Sequence, residues 1–250
     1  MARLVVRDMV ITTLLLGLFA AIGTGIVAWV HSGTEARIAE NRLAMTRLRI
    51  TQVLEGLDHD NEPVVDHATL SDPLLGGEHL PAWFARRGDA VVGLALSAIA
   101  PNGYSGNIHL LIGIDADGHV LGVRVTQHRE TPGLGDDIEA DRSDWIHGFR
   151  SRSLGDPPIE RWGVRKDGGV FDQFTGATIT PRAVVQAVRN TLVYFQDNAE
   201  ALLATPPPVD DEALPIEALS PEIPDPTTPS GPVQEPRPAP VPAPSVEATP

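Results

Sequence analysis

Two threonines flank a Gly-Ala pair in the stretch Asp172-Gln173-Phe174-Thr175-Gly176-Ala177-Thr178. Ile179, Thr180 and Pro181 follow, and then apolar residues recur at helical spacing. Thr180 is the expected N-cap of that helix and Pro181 its first residue. A helix start presents backbone N–H groups without intrahelical acceptors, and the positive end of the helix dipole. Such a place favours a phosphate, or a phosphate bonded to a hydroxyl side chain. Thr178 is therefore a candidate to carry one, with Gly176 and Ala177 letting the backbone approach a bulky ligand. The residue chemistry alone leaves open an ordinary capping turn.

A second stretch, His128-Arg129-Glu130-Thr131-Pro132-Gly133-Leu134-Gly135-Asp136, reads as a loop at a strand end. Pro132 fixes φ, and Gly133 and Gly135 open the backbone. Its N–H groups can meet carbonyl oxygens of a planar ring; taken alone, the pattern is that of a plain tight turn. His128 is assigned a structural hydrogen bond. Gly103-Tyr104-Ser105-Gly106 and Lys166-Asp167-Gly168-Gly169 are further glycine turns. Lys166 is a candidate to bring positive charge to a ligand, or an ordinary solvated lysine. No His pair or dense His cluster has metal-ligand spacing, so no metal is expected.

Composition narrows the chemistry. The 250 residues contain no cysteine, which excludes thiolate-held iron–sulfur clusters, Cys-type zinc sites and disulfides. Redox work would need an organic cofactor. A net charge of -14 argues against nucleic-acid binding. About -7 of it falls after Thr205, where prolines recur and Arg237 is the one basic residue. That tail cannot bury enough apolar surface to order itself and is read as disordered.

The elements that must position these residues follow from the pattern. Met9 to Val30 carries no charge and is long enough to cross a hydrocarbon core of about 30 Å. Arg3 and Arg7 precede it, which favours an N-terminus inside the cytoplasm. A cleaved signal peptide is the alternative, but Ile26-Val27-Ala28 is a poor cleavage site. Thr34 to about Leu57 predicts a second helix, a stalk or an ordinary domain helix. Pro63 to Ala82 reads as loop. Strands are predicted from Ala90, with a turn at Pro101-Asn102-Gly103, and over Ile108–Ile114. Asp117-Gly118 signals a hairpin into Val120–Val125. A short helix carries Trp145, Ile146 and Phe149. Gly163–Asp172 reads as a strand pair or extended arm, and the last helix ends near Asp197-Asn198.

Asp172-x-x-Thr175-Gly176-Ala177-Thr178 resembles the flavinylation motif of the FMN-binding domains in Rnf and Na⁺-translocating NADH:quinone reductase complexes. The Glu130–Gly135 loop resembles the segment that lies against the flavin ring in that family. The similarity is closest to the G-subunit family of the Rnf (Rsx) complex and spans about residues 1–198. It implies FMN attached covalently through its phosphate to Thr178. Asp172 would be read by the Mg²⁺-dependent FAD:protein FMN transferase. Cofactor contacts would come from Thr175, Gly176, Ala177, Glu130, Thr131, Pro132, Gly133, Leu134, Gly135 and Lys166.

The expected fold is α+β, an antiparallel sheet with packed helices, preceded by one transmembrane helix and followed by the tail. The expected divisions are a cytoplasmic N-terminus (1–8), a transmembrane helix (9–30), a helical stalk and loop (31–80), an FMN-binding domain (81–204) and the tail (205–250). The resemblance implies a redox subunit, without turnover of its own, of a translocase that moves electrons between ferredoxin and NAD and couples this to ion transport. The flavin domain would lie on the periplasmic side of the inner membrane, among the other members of the complex. Alternatives are a stand-alone anchored flavoprotein, a subunit of the quinone reductase, or a scaffold without cofactor.

Overall fold

A computed structural model of the protein describes residues 2–204; the reading of the proline-rich tail lies outside them. The chain opens with one continuous helix, α1 (Ala2–Val53). Its stretch Met9–His31 is long and apolar enough to cross a membrane, and none of it is covered by the rest of the protein. Leu14, Leu16, Phe19, Val27 and Trp29 all face outward. Apolar side chains displayed all round a helix belong in lipid rather than water. The predicted stalk helix is the same helix continued, with no break between anchor and stalk.

The last turns of α1 are built differently. Ile50, Val53 and Leu54 are buried with Val64, Trp83, Ala85, Ala95 and Leu111 on one face of a sheet. That sheet is an antiparallel meander in the order β1-β2-β3-β4-β5. Its strands are β1 (His67–Asp72), β2 (Gly77–Arg87), β3 (Ala90–Gly103), β4 (Gly106–Asp115) and β5 (Val120–Gln127). Side chains alternate between the faces, as the two-residue period of a strand requires. Leu94, Leu96 and Ala98 of β3 point to the larger core, and Ala95 points toward α1.

The larger core lies under α2 (Ile179–Leu203), which packs mainly across β3. Val184, Val185, Val188, Leu192 and Phe195 of α2 are buried there with Leu110, Ile112 and Ile114 of β4. Covering on both faces explains why β3 is nearly all apolar from Val91 to Ala100. Rings close the end of this core nearest the Asp172–Thr178 stretch. Phe149 packs on Trp162 and Phe171, and Trp145 meets Phe149 and Phe174 edge-on.

Four local expectations are corrected. Pro63–Ala82 is not all loop: it holds β1, a 3-10 turn at Pro73–Leu75 and the start of β2. Pro81 is tolerated because β2 pairs with β3 only from Ala82 onward. The turn expected at Pro101–Gly103 is still strand; Gly103 pairs with Gly106, so the chain reverses at Tyr104-Ser105. Gly163–Asp172 is no strand pair but a 3-10 turn at Arg165–Asp167 beside a single bridge between Val164 and Phe171. Helix α2 starts two residues before Pro181 and runs past Asn198 to Leu203. Leu202 is buried against the core, and that packing extends the helix.

Candidate functional site

The two singled-out stretches meet. A cleft of about 270 Å³ is lined by Tyr104, Glu130, Thr131, Leu134, Gly135, Gly176, Ala177, Thr178, Ile179 and Thr180. One wall is the loop after β5, another is the start of α2, and Tyr104 arrives from the β3–β4 hairpin. Of the residues expected to touch a cofactor, Thr175, Pro132, Gly133 and Lys166 do not line the cleft, and neither does Asp172, the expected recognition residue. Tyr104, Ile179 and Thr180 do, and were not among those expected.

Thr178 occupies the N-cap position of α2, yet its side chain makes no capping hydrogen bond. Its φ and ψ of -70° and -26° are helical, whereas a capping residue usually adopts extended angles. The hydroxyl, which lines the cleft, therefore has no hydrogen-bond partner among the described residues. Gly176 has φ +85°, a conformation that other L residues rarely adopt, and it turns the chain into that position. Phe174 and Ala177 close the turn through the Ala177 N–H, which donates to the Phe174 carbonyl at 3.2 Å. The indole Nε1–H of Trp145 donates to the Asp172 carbonyl at 2.8 Å and ties the motif to the ring cluster.

Thr180 was expected to cap the helix. Instead it is buried, and its hydroxyl donates to Glu130 Oε2. Glu130 Oε1 accepts from the Ser105 N–H at 3.0 Å. The carboxylate therefore joins the hairpin, the loop and the helix start around the cleft floor. The Glu130 N–H donates to His128 Nδ1 at 3.0 Å, so His128 Nε2–H faces Glu139 Oε1 at 2.5 Å. That is the structural role expected of His128.

Three of the loop's N–H groups are spent within it, as in a plain tight turn. Leu134 N–H and Gly135 N–H both donate to the Thr131 carbonyl, at 3.1 and 2.9 Å. Gly133 N–H donates to the buried Asp136 carboxylate at 2.6 Å. A turn this tight satisfies its own donors. What it presents instead is the Leu134 side chain, 45% exposed beside Tyr104 at 67% and Ile179 at 45%.

Asp172 sits outside the cleft, exposed, 3.0 Å from Arg165 Nε. Lys166 is exposed on the neighbouring 3-10 turn, where its N–H donates to Gln173 Oε1 at 3.2 Å. Arg182, in the first turn of α2, holds Asp167 by two hydrogen bonds of 2.6 and 3.0 Å. These bonds hold the Asp167 carboxyl below the usual carboxylate range and raise Arg182. Turn and helix are clamped together by that pair.

Comparison with known proteins bears on this geometry. Residues 103–193 match the FMN-binding domain, a span that contains every residue lining the cleft. Residues 1–53 match the RnfG N-terminal region, which ends where α1 ends. The G subunit of the ion-translocating oxidoreductase complex of Pseudomonas aeruginosa strain UCBPP-PA14 is 50% identical over 200 residues, 79% of this chain and 94% of the relative. The chain belongs to the RnfG family. The corresponding protein of Shewanella loihica is 45% identical over 203 residues, 80% of this chain and 95% of the relative. That of Cronobacter sakazakii is 47% identical over 192 residues, 77% and 92% of the two chains. Membership in the RnfG family accounts for α1 and the cleft together.

The cleft fits a flavin nucleotide on its own terms. Exposed apolar side chains at its rim suit a planar ring, and the start of α2 suits a phosphate. No lysine or arginine lines it, among the described residues.

Proposed function

We propose that this protein is the membrane-anchored FMN subunit of an ion-translocating oxidoreductase complex, with FMN bonded through its phosphate to the Thr178 hydroxyl. The observation that carries this reading is the meeting of the Glu130–Gly135 loop and the Gly176–Thr180 helix start around one cleft. FMN supplies the electron-transfer chemistry when bound. The chain's own residues hold and orient it. Thr178 offers an uncommitted hydroxyl, and the first-turn N–H groups of α2, without intrahelical acceptors, suit the phosphate. Leu134, Tyr104 and Ile179 give the ring apolar surface and exclude water from it.

Covalent attachment fits the charge pattern. Among the described residues no lysine or arginine lines the cleft to retain a free phosphate, and the one charged residue that does, Glu130, is acidic. An ester bond retains the cofactor without one. Asp172, exposed and beside Arg165, is accessible for recognition by an FMN transferase. Lys166 does not line the cleft, and this reading gives it no part in holding FMN.

The remaining assignments continue from this reading. Met9–His31 anchors the chain in the inner membrane, with residues 1–8 in the cytoplasm. The flavin domain, which takes in β1 as well as residues 81–204, works on the periplasmic side. It passes electrons between other members of the complex, in a path of ferredoxin and NAD type.

The test is fluorescence under ultraviolet light of the denatured protein on a gel, after co-expression with the transferase. The wild-type band is expected to glow and Thr178→Val to be dark. A dark wild-type band, or a glowing Thr178→Val band, defeats covalent attachment at Thr178. Co-purification of integral membrane partners tests the assembly, and a reporter fused after Leu203 tests the side of the membrane.

A further inference from the structure

Glu130 is 4% exposed, and its carboxylate accepts one hydrogen bond from the Ser105 N–H and one from the Thr180 hydroxyl. Both donors are neutral. No cation pairs with it among the described residues, whereas Asp58, Asp66, Asp136, Asp167 and Asp172 each have an arginine. A buried carboxylate without a counter-ion is costly to keep. A neutral glutamine or an apolar residue would fill the same space. The position is also crowded: a Cβ on Gly135 would stand 2.9 Å from Glu130 Cβ and 3.1 Å from Thr180 Oγ1. The side chain is therefore held in place from several sides.

The same carboxylate is the only formal charge among the described residues lining the cleft. We propose that Glu130 sets the reduction potential of the flavin held there, the negative charge of its carboxylate disfavouring the added electrons and so lowering the potential. Thr180 is the positioning residue: its hydroxyl orients the carboxylate and partly offsets its charge. This rests on the reading that FMN occupies the cleft. Electrons accepted by the ring bring negative charge that proton uptake only partly cancels. In a water-excluded site a unit charge acts on that difference far more strongly than it would in bulk water.

The experiment is a potentiometric titration of the full chain in detergent, carrying FMN, with dithionite as reductant and a reference dye. Flavin content is read first, by absorbance and by gel fluorescence. Glu130→Gln removes the charge and keeps the shape. It is expected to shift the oxidised-to-reduced ratio at a given applied potential at least tenfold toward reduced flavin, about 30 mV for a two-electron couple. Glu130→Asp keeps the charge and is expected to remain close to wild type. Thr180→Val removes the offsetting hydroxyl and is expected to move the potential the opposite way.

An unmoved potential in Glu130→Gln overturns the proposal. So does an equal shift in Glu130→Asp, which would mark a purely structural role. Where Glu130→Gln fails to carry flavin, Thr180→Val decides: a lowered potential supports the proposal, and an unchanged or raised one overturns it. Wild type without bound flavin defeats the cleft assignment, and this inference with it. Wild type with flavin and unmoved variants defeats this inference alone.

Discussion

Thr178 stands at a helix start without doing the work of a cap. Its replacement by valine should therefore leave stability nearly unchanged, within about 0.5 kcal/mol by chemical denaturation, while removing attached flavin. A loss near 1–2 kcal/mol would mean that the hydroxyl caps the helix in solution. Gly176 gives the complementary case. A Cβ there would meet nothing closer than Leu134 Cδ2 at 3.7 Å, so space is not the constraint. Its φ of +85° is. Gly176→Ala should cost about 1–2 kcal/mol, read as a lower denaturation midpoint at unchanged slope. Residue chemistry alone fitted these two residues to an ordinary capping turn; their fixed spacing from Asp172, which carries the family resemblance, singled them out. Sequence pattern could not reveal that Thr180 turns inward, since its partner Glu130 is 50 residues away.

Pairing of elements decides the next set of outcomes. The Asp167–Arg182 clamp joins the turn before the motif to the first turn of α2. Arg182 holds the Asp167 carboxyl below its ordinary range, so the bonus exists above the unfolded-state value and is lost as pH falls through the lower folded value. Relative to the intrinsic rate at each pH, hydrogen exchange at Lys166–Gly169 should therefore quicken below about pH 4. Arg182→Met should show the fast exchange already at neutral pH and no acid step. Both groups are exposed, so global stability should hardly respond.

The join between α1 and the sheet has less tolerance. A Cβ on Gly113 would fall 2.0 Å from the Val53 carbonyl oxygen, a backbone atom that cannot step aside. Gly113→Val should cost about 3 kcal/mol or more and open the segment after Val53 to limited proteolysis.

Legibility followed the strength of the local signal at this scale too. The hairpin at Asp117-Gly118 and the meander from Ala90 onward were readable because β-branched runs and a tight turn are local features. β1 was not. Only Ala68 and Leu70 of its six residues are apolar, it lies at the sheet edge, and Pro73 follows at once. Short 3-10 turns such as Arg165–Asp167 have no periodicity to detect. The cleft itself was legible only as two stretches. Their meeting depends on how β5 and α2 cross the larger core.

Across the whole molecule, one helix does two jobs. Its first part suits lipid, and its last turns are packed into the sheet whose final strand leads to the Glu130–Gly135 loop. Arg49 shows the join: its guanidinium donates to the Thr126 carbonyl at 3.3 Å, and burial lowers its pKa. A helix of 52 residues is about 78 Å long. The anchor is thus a strut and not a tether. A strut behaves as a screw: each added residue turns the domain by about 100° and raises it by about 1.5 Å. Two residues inserted near Gly33 should point the cleft away from its neighbours and abolish flavin reduction in intact membranes. Seven should nearly restore the facing at a height about 10 Å greater, and recover part of the rate. Equal loss from both insertions would mean that height alone matters, and no loss from either that the helix hinges. The length of this helix is then an address with an angle as well as a distance.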